Sequence, residues 1–146
     1  MPRVLLIDDT PEIAELLSFA LRDRGFEVFA SGFTDSIVEL LLEQRADALV
    51  LDCSVYNMSE SLFDVVRYDP KFGELPVVII SDTPEEADKS LRARDAKNVM
   101  LIPKPFTGDA PRFDKYVVSC AGQIREARTA IAVITTIFIK SPVFIF

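Results

Sequence analysis

The sequence predicts an α/β fold in which five parallel strands alternate with helices. Short apolar runs rich in Val, Ile and Leu lie at 4–7, 48–51, 77–80 and 99–102, with a weaker run at 26–30. Such runs are typical of parallel strands that are covered on both faces. Between them, apolar residues recur at helical spacing. This alternation indicates a parallel sheet with helices on both faces and right-handed crossovers.

Five helices are predicted between and after these strands. Gly25 suits the C-cap of the first helix, and Pro84 and Pro111 suit the first positions of the fourth and fifth. The fourth helix is expected to run to about Arg94. The apolar positions that define the other four are Ile13, Leu16, Leu17, Ala20 and Leu21; Ile37, Leu40 and Leu41; Leu62 to Val66; and Phe113, Val117, Cys120 and Ile124.

Composition excludes several classes of function. A chain of 146 residues, nearly half of them apolar, suits one compact domain. A net charge of −7 disfavours direct binding to nucleic acid or to an anionic membrane. The chain has no histidine, which excludes Ser-His-Asp catalysis, histidine metal sites and a phosphohistidine within this chain. Cys53 and Cys120 follow no disulfide or zinc spacing, and no signal-peptide pattern is present, so a cytoplasmic location is expected.

Polar side chains follow the predicted strands where the strands end. The first strand is followed by Asp8 and Asp9, the third by Asp52, the fourth by Ser81 and the fifth by Lys104. Functional groups of open α/β sheets gather beyond the carboxyl ends of the strands. In the flavodoxin-like strand order 2-1-3-4-5, the first and third strands are neighbours. Three carboxylates would then converge, with a hydroxyl and an ammonium beside them.

A structural interpretation of the same residues is also open. Thr10 can cap the first helix, Pro11 suits its first position, and Glu12 favours its positive end, so nearby carboxylates are expected on capping grounds alone. Asp52 could likewise cap the helix that follows it. The lysine and the serine could be a solvated loop residue and a strand terminus.

Four motifs occur together: "LLIDD", "LVLD" ending at Asp52, "DPKFGELPVVIIS" and "KPF". In this order and near this spacing, they resemble the receiver domain of two-component response regulators, over residues 1–125. The resemblance implies that Asp52 accepts a phosphoryl group from a histidine kinase or a histidine phosphotransfer protein. We expect a single-domain response regulator that then switches an output protein, and not an enzyme in the ordinary sense.

The chemistry of these side chains agrees with that role. A phosphoryl group brings negative charge toward three anions, so a divalent cation is needed. Mg²⁺ prefers oxygen ligands and keeps several waters. We expect Asp9 and Asp52 to bind it directly and Asp8 to bind it through water. The resemblance adds the backbone carbonyl of Ser54 as a ligand.

Two further residues complete the predicted site. Lys104 can reach a phosphoryl oxygen opposite the metal. Ser81 can donate a hydrogen bond to another oxygen after phosphorylation and so draw the following loop inward. By the resemblance, Ser54 and Thr83 occupy positions that influence the lifetime of the phosphorylated state. Both are small and neither is acidic or carries an amide, so attack by water is expected to be slower than in fast-cycling chemotaxis members of the family.

The sequence departs from the family pattern at several positions. Tyr56 and Glu60 replace a common proline and glycine, Asp82 replaces a common Ala or Gly, and Leu101 replaces the switch aromatic. These departures keep open an alternative function, a receiver-like interaction module that phosphorylation does not regulate. An aspartyl phosphatase is disfavoured, because it would want an aspartate where Ser54 stands.

The segment 126–146 extends beyond the predicted receiver domain and is strongly apolar. Its core, "AIAVITTIFIKSPVFIF", is interrupted by Lys140 and Pro142, which disfavours a membrane span. A frame error or an expression remnant is one alternative. We expect this tail to be buried against protein, as an added strand or a continued helix, in a homodimer formed through the fifth-helix side.

Overall fold

A sheet of six strands in the order β2-β1-β3-β4-β5-β6 is the centre of the fold. The computed structural model describes residues 2–52, 56–103 and 117–118, and it describes the backbone alone at 56–58, 103 and 117–118. In chain order the elements are β1 (Arg3–Asp8), α1 (Pro11–Asp23), β2 (Glu27–Ser31), α2 (Ile37–Gln44), β3 (Ala48–Asp52), α3 (Tyr56–Tyr68), β4 (Val77–Ser81), α4 (Pro84–Ala93), β5 (Val99–Pro103) and β6 (Val117–Val118).

The first five strands are parallel, which confirms the predicted α/β fold and the order 2-1-3-4-5. Alternate side chains of β1, β3, β4 and β5 enter the two cores on either side of the sheet. The core on one side includes Ala14, Leu17 and Leu21 of α1. The core on the other side includes Ile37 and Leu41 of α2, Leu62, Phe63 and Val66 of α3, and Ala87 and Leu91 of α4. Helices therefore cover both faces, as predicted.

A short sixth strand replaces part of the predicted fifth helix. Val117 and Val118 pair antiparallel with β5, opposite Met100 and Val99 respectively. The prediction of a helix is wrong at these two positions. Both residues are β-branched and favour a strand, and the outer edge of β5 supplies the backbone groups with which they pair. The other positions of that predicted helix lie outside the described residues.

The apolar tail, 126–146, also lies outside the described residues, so its burial stays a prediction. Within the part of the chain that the structure describes, no helix is both long enough and apolar enough to span a bilayer.

Helix α1 follows its predicted start and stop signals, with two differences. Pro11 is its first residue, and Gly25, just beyond its end, has a φ of 93° that glycine adopts readily. Thr10 occupies the N-cap position, but its side chain makes no capping hydrogen bond. Leu16 is 41% exposed, because the helix turns other positions toward the sheet.

Arg67, near the end of α3, ties three segments together at the amino ends of β4 and β5. Its guanidinium lies 4.9 Å from the ring centre of Phe63. Its four acceptors are the backbone carbonyls of Phe72, Leu75, Lys97 and Asn98, at 3.1, 2.6, 2.9 and 3.0 Å. Burial lowers the pKa of Arg67 to about 10, and the carboxylate of Glu74 opposes this shift. The guanidinium is therefore charged at neutral pH, and charged donors form strong hydrogen bonds.

Replacement of Arg45 by glycine should stabilise the protein. Arg45 is the C-cap of α2, is exposed, and has a φ of 50° and a ψ of 49°, a conformation that costs a non-glycine residue roughly 1–2 kcal/mol. Glycine avoids this cost but loses roughly 0.5–1 kcal/mol of chain entropy. Arg45→Gly should therefore raise the free energy of unfolding in urea by about 0.5–1 kcal/mol. Arg24→Gly is the matched control, because Arg24 is the exposed C-cap of α1 with a φ of −97°, and it should destabilise. Equal decreases in the free energy of unfolding of Arg45→Gly and Arg24→Gly would contradict the prediction.

Candidate functional site

The register of the sheet brings the predicted site residues to one edge. Asp8 and Asp52 are direct partners across the parallel pairing of β1 and β3. Ser81 ends β4 and is the partner of Pro103, the last residue of β5. The carboxyl ends of four neighbouring strands thus meet at one edge of the sheet, as the sequence predicts.

The three predicted carboxylates differ in burial. Asp8 is 4% exposed and Asp52 is 1% exposed, whereas Asp9 is exposed at the start of the turn that follows β1. Asp8 and Asp52 have even numbers, like Leu6 and Val50 of the core on the α1 side. Strand alternation therefore places both of their side chains on the α1 side of the sheet.

Two buried carboxylates on neighbouring strands repel each other when both are charged. Neighbouring strands are about 5 Å apart, and two unit charges at that distance repel by roughly 3 kcal/mol at an effective dielectric of about 20. Positive charge nearby lowers this cost. Among the described residues, no three Asp, Glu or Cys side chains are arranged to hold a metal ion by themselves.

Asp8 also has a structural task. Its Oδ1 accepts a hydrogen bond of 2.8 Å from the backbone N–H of Thr10. This bond fixes the turn between β1 and α1, and the exposed Asp9 lies between the two bonded residues. The structural interpretation of the acidic pair is thus correct in part, because a carboxylate does satisfy the backbone here, although it is not the side chain of Thr10.

Ser81 controls the turn between β4 and α4. It is 3% exposed, and its Oγ accepts a hydrogen bond of 3.0 Å from the backbone N–H of Thr83. The two hydroxyl oxygens are 3.4 Å apart. Asp82 and Thr83 are both exposed. The serine hydroxyl is therefore held at the site edge by the backbone of the residue that precedes α4.

A cavity of about 630 Å³ opens at the opposite end of the sheet, beside the end of α3 and the turn before β5. Its wall includes Arg67, Arg94 and Lys97. The Nη1 and Nη2 donors of Arg67 are occupied by four backbone carbonyls, and Arg94 is paired with carboxylates of α3. This cavity is far from the strand ends that carry Asp8 and Asp52, and it is not part of the candidate site.

The family model of the response regulator receiver domain matches residues 4–112. This chain belongs to that family. The match includes both aspartates of the β1–β3 pair and the serine at the end of β4. Receiver domains of this family act in two-component signalling, and the edge described above is where this receiver gathers its buried carboxylates.

Solved structures share the fold of this receiver domain. The chemotaxis response regulator CheY4 of Vibrio cholerae has a TM-score of 0.64 and 21% identity, and the alignment covers 91% of this chain and 98% of that one. A sensor protein of Polaromonas sp. JS666 has a TM-score of 0.63 and 24% identity, with coverage of 73% and 86%. The response regulator TrrA of Thermotoga maritima, in complex with Mg²⁺-BeF, has a TM-score of 0.55 and 22% identity, with coverage of 75% and 91%.

Leu101, at the position of the switch aromatic, is fully buried in this receiver domain. It belongs to the same core cluster as Ala87 and Leu91 of α4. An aliphatic side chain enclosed in this way packs α4 onto the sheet. The leucine that replaces the switch aromatic is therefore part of the hydrophobic core.

Glu60, the other conspicuous departure, belongs to a polar cluster between α3 and α4. We call Glu60, Asp64, Ser90 and Arg94 the α3–α4 cluster. Arg94 forms ion pairs with both Glu60 and Asp64. The sequence did not indicate this cluster, because its two halves are 30 or more residues apart. The departure at Glu60 marks one member of the cluster but does not identify its partners.

Two predicted site residues lie outside the part of the chain that the structure describes. They are Ser54, in the turn after β3, and Lys104, which follows β5. Their predicted roles as a metal ligand and a phosphoryl partner stay predictions.

Proposed function

We propose that this receiver domain, spanning residues 1–125, accepts a phosphoryl group on Asp52. The donor is a phosphohistidine of a histidine kinase or a histidine phosphotransfer protein, since this chain has no histidine of its own. The observation that carries the proposal is the buried, in-register pair of Asp8 and Asp52 at the strand ends of a family member. The phosphorylated form would switch a protein partner.

The transfer step requires little covalent chemistry from the protein. An oxygen of the Asp52 carboxylate attacks phosphorus, and a P–O bond forms while the P–N bond to the donor histidine breaks. Asp8 holds the turn that positions Asp9, and Ser81 presents a hydroxyl at the same edge. Lys104 would offset charge on the phosphoryl oxygens.

Mg²⁺ suits the donor set of this edge. Asp9 and Asp52 would hold it directly, Asp8 through water, and the carbonyl of Ser54 would add a fourth oxygen. All of these donors are oxygen, which a hard cation prefers. When bound, Mg²⁺ offsets the negative charge that the carboxylates and the phosphoryl group bring together.

One observation favours the second candidate, an interaction module that phosphorylation does not regulate. The position of the switch aromatic holds Leu101, which is fully buried. This receiver therefore has no aromatic side chain there to report the state of the site. The same experiment separates the two functions, because only the first requires modification of Asp52.

Asp52 should gain one phosphoryl group when the protein is incubated with acetyl phosphate and Mg²⁺. Intact-mass spectrometry measures the gain directly. Asp52→Asn should gain none, because it lacks the attacking carboxylate, whereas the control Asp82→Asn should be modified like the wild type, since Asp82 is exposed beyond β4. A wild type that remains unmodified under saturating donor would favour the interaction module.

Removal of Asp9 should weaken Mg²⁺ binding far more than removal of Asp82. Both side chains are exposed, so the two variants are matched, but only Asp9 is assigned as a ligand. Loss of an outer-shell partner costs roughly 10- to 100-fold in metal affinity, and loss of a direct ligand such as Asp9 should cost at least as much. Titration calorimetry measures this loss, because the chain has no tryptophan. Equal losses in Asp9→Ala and Asp82→Ala would show that the ligand assignment is wrong.

Removal of the apolar tail should change the state of the protein in solution. We propose that residues 126–146 are buried in self-association, because a segment of this apolar content is costly to leave in water. A chain that ends at Arg128 should have about half the mass of the full chain in light scattering. Equal masses, solubility and stability in the two proteins would contradict this role of the tail.

A further inference from the structure

The α3–α4 cluster joins the two helices that follow the site strands β3 and β4. Arg94 Nε donates to Asp64 Oδ1 at 3.0 Å, and its Nη2 contacts Glu60 Oε1. Ser90 Oγ donates to the same Glu60 oxygen at 3.1 Å. The side chains of Arg94 and Glu60 are 32% and 25% exposed. These charges are thus partly shielded from water, and such pairs are stronger than fully exposed ones.

The cluster fixes only one end of α4. Ser90 and Arg94 lie in the last turn of the helix and just beyond it, whereas the helix begins at Pro84. The N-cap residue, Thr83, makes no capping hydrogen bond with its side chain. Its backbone N–H instead donates to Ser81 Oγ. The beginning of α4 is therefore attached to the hydroxyl of the candidate site, while its end is attached to α3.

This attachment links any movement of Ser81 to α4. The oxygen of Ser81 accepts from the backbone N–H of Thr83, so its O–H can donate to another oxygen, either the Thr83 hydroxyl 3.4 Å away or a phosphoryl oxygen on Asp52. If the serine moves toward that oxygen, the turn before α4 is drawn with it. The α3–α4 cluster resists this displacement, because its ion pairs require α4 to keep its position beside α3.

We propose that Arg94 is a positioning residue that restrains α4 through Glu60 and Asp64 and so sets how readily Ser81 engages a phosphoryl group. The inference rests on the proposed phosphoacceptor function. It gives the unusual Glu60 a task, which is to anchor α4 in the unphosphorylated position. A restraint of this kind shifts the balance between two positions of one helix without contact with the phosphoryl group.

The test compares the affinity of four proteins for beryllium fluoride in excess Mg²⁺, the ligand found in the TrrA structure, by calorimetry. Arg94→Met removes the ion pairs and keeps an apolar stem of similar length. It should bind roughly 3- to 10-fold more tightly than the wild type, because α4 can then follow Ser81 without strain on the ion pairs to Glu60 and Asp64. Arg92→Met is the matched control, since it removes the Arg92–Asp88 pair within α4 itself, and it should bind like the wild type. Glu60→Gln removes one of the two ion pairs of Arg94, so it weakens the same restraint from the α3 side and should also bind more tightly.

Arg94→Met in a Ser81→Ala background distinguishes a positioning role of Arg94 from a general structural role. Without the serine hydroxyl, Arg94→Met should alter the affinity by less than about twofold. An unchanged or weaker affinity of both Arg94→Met and Glu60→Gln would overturn the inference, and so would an equal gain with and without Ser81. A wild type that neither binds the ligand nor gains a phosphoryl group would instead contradict the proposed function.

Discussion

The parallel register between β1 and β3 is the constraint on which the candidate site depends. Parallel strands cannot slip by one residue without turning every side chain to the other face. Because Leu6 and Val50 must face the α1 core, Asp8 and Asp52 must lie on that side too. The apolar residues of the two strands therefore place the two carboxylates together.

Arg67 has a comparable role at the other end of the sheet. A parallel sheet needs a crossover between each pair of strands, and each crossover leaves backbone carbonyls without partners at the ends of helices. Four carbonyls from the segments before β4 and β5 converge on one guanidinium, and two of them, those of Phe72 and Asn98, also accept from the backbone N–H groups of Leu75 and Val77. One cation thus holds the amino ends of β4 and β5 while their carboxyl ends carry the site.

The sequence predicts the five parallel strands and α1 to α4 well, because buried runs and helix-start residues such as Pro11 and Pro84 are local signals. It also predicts the convergence of Asp8, Asp52 and Ser81, since strand order follows from topology. It fails at Val117 and Val118, where pairing with the edge of β5 overrides an apparent helical spacing. It gives no account of Arg67 or Arg94, whose partners are distant in sequence and depend on how the helices pack.

The order of the strands has a consequence for the folding of the chain. The hydrogen bond from the Arg3 N–H to Asp47 at the start of the β1–β3 junction spans 44 residues, and closure of a loop of that length costs on the order of 3 kcal/mol in entropy. The unit β1-α1-β2 is local and can form earlier, so β3 would dock onto an existing nucleus. Docking is also the step at which Asp8 and Asp52 first meet. Repulsion between the two carboxylates therefore acts only once β3 has docked, and a cation bound between them would stabilise the docked sheet.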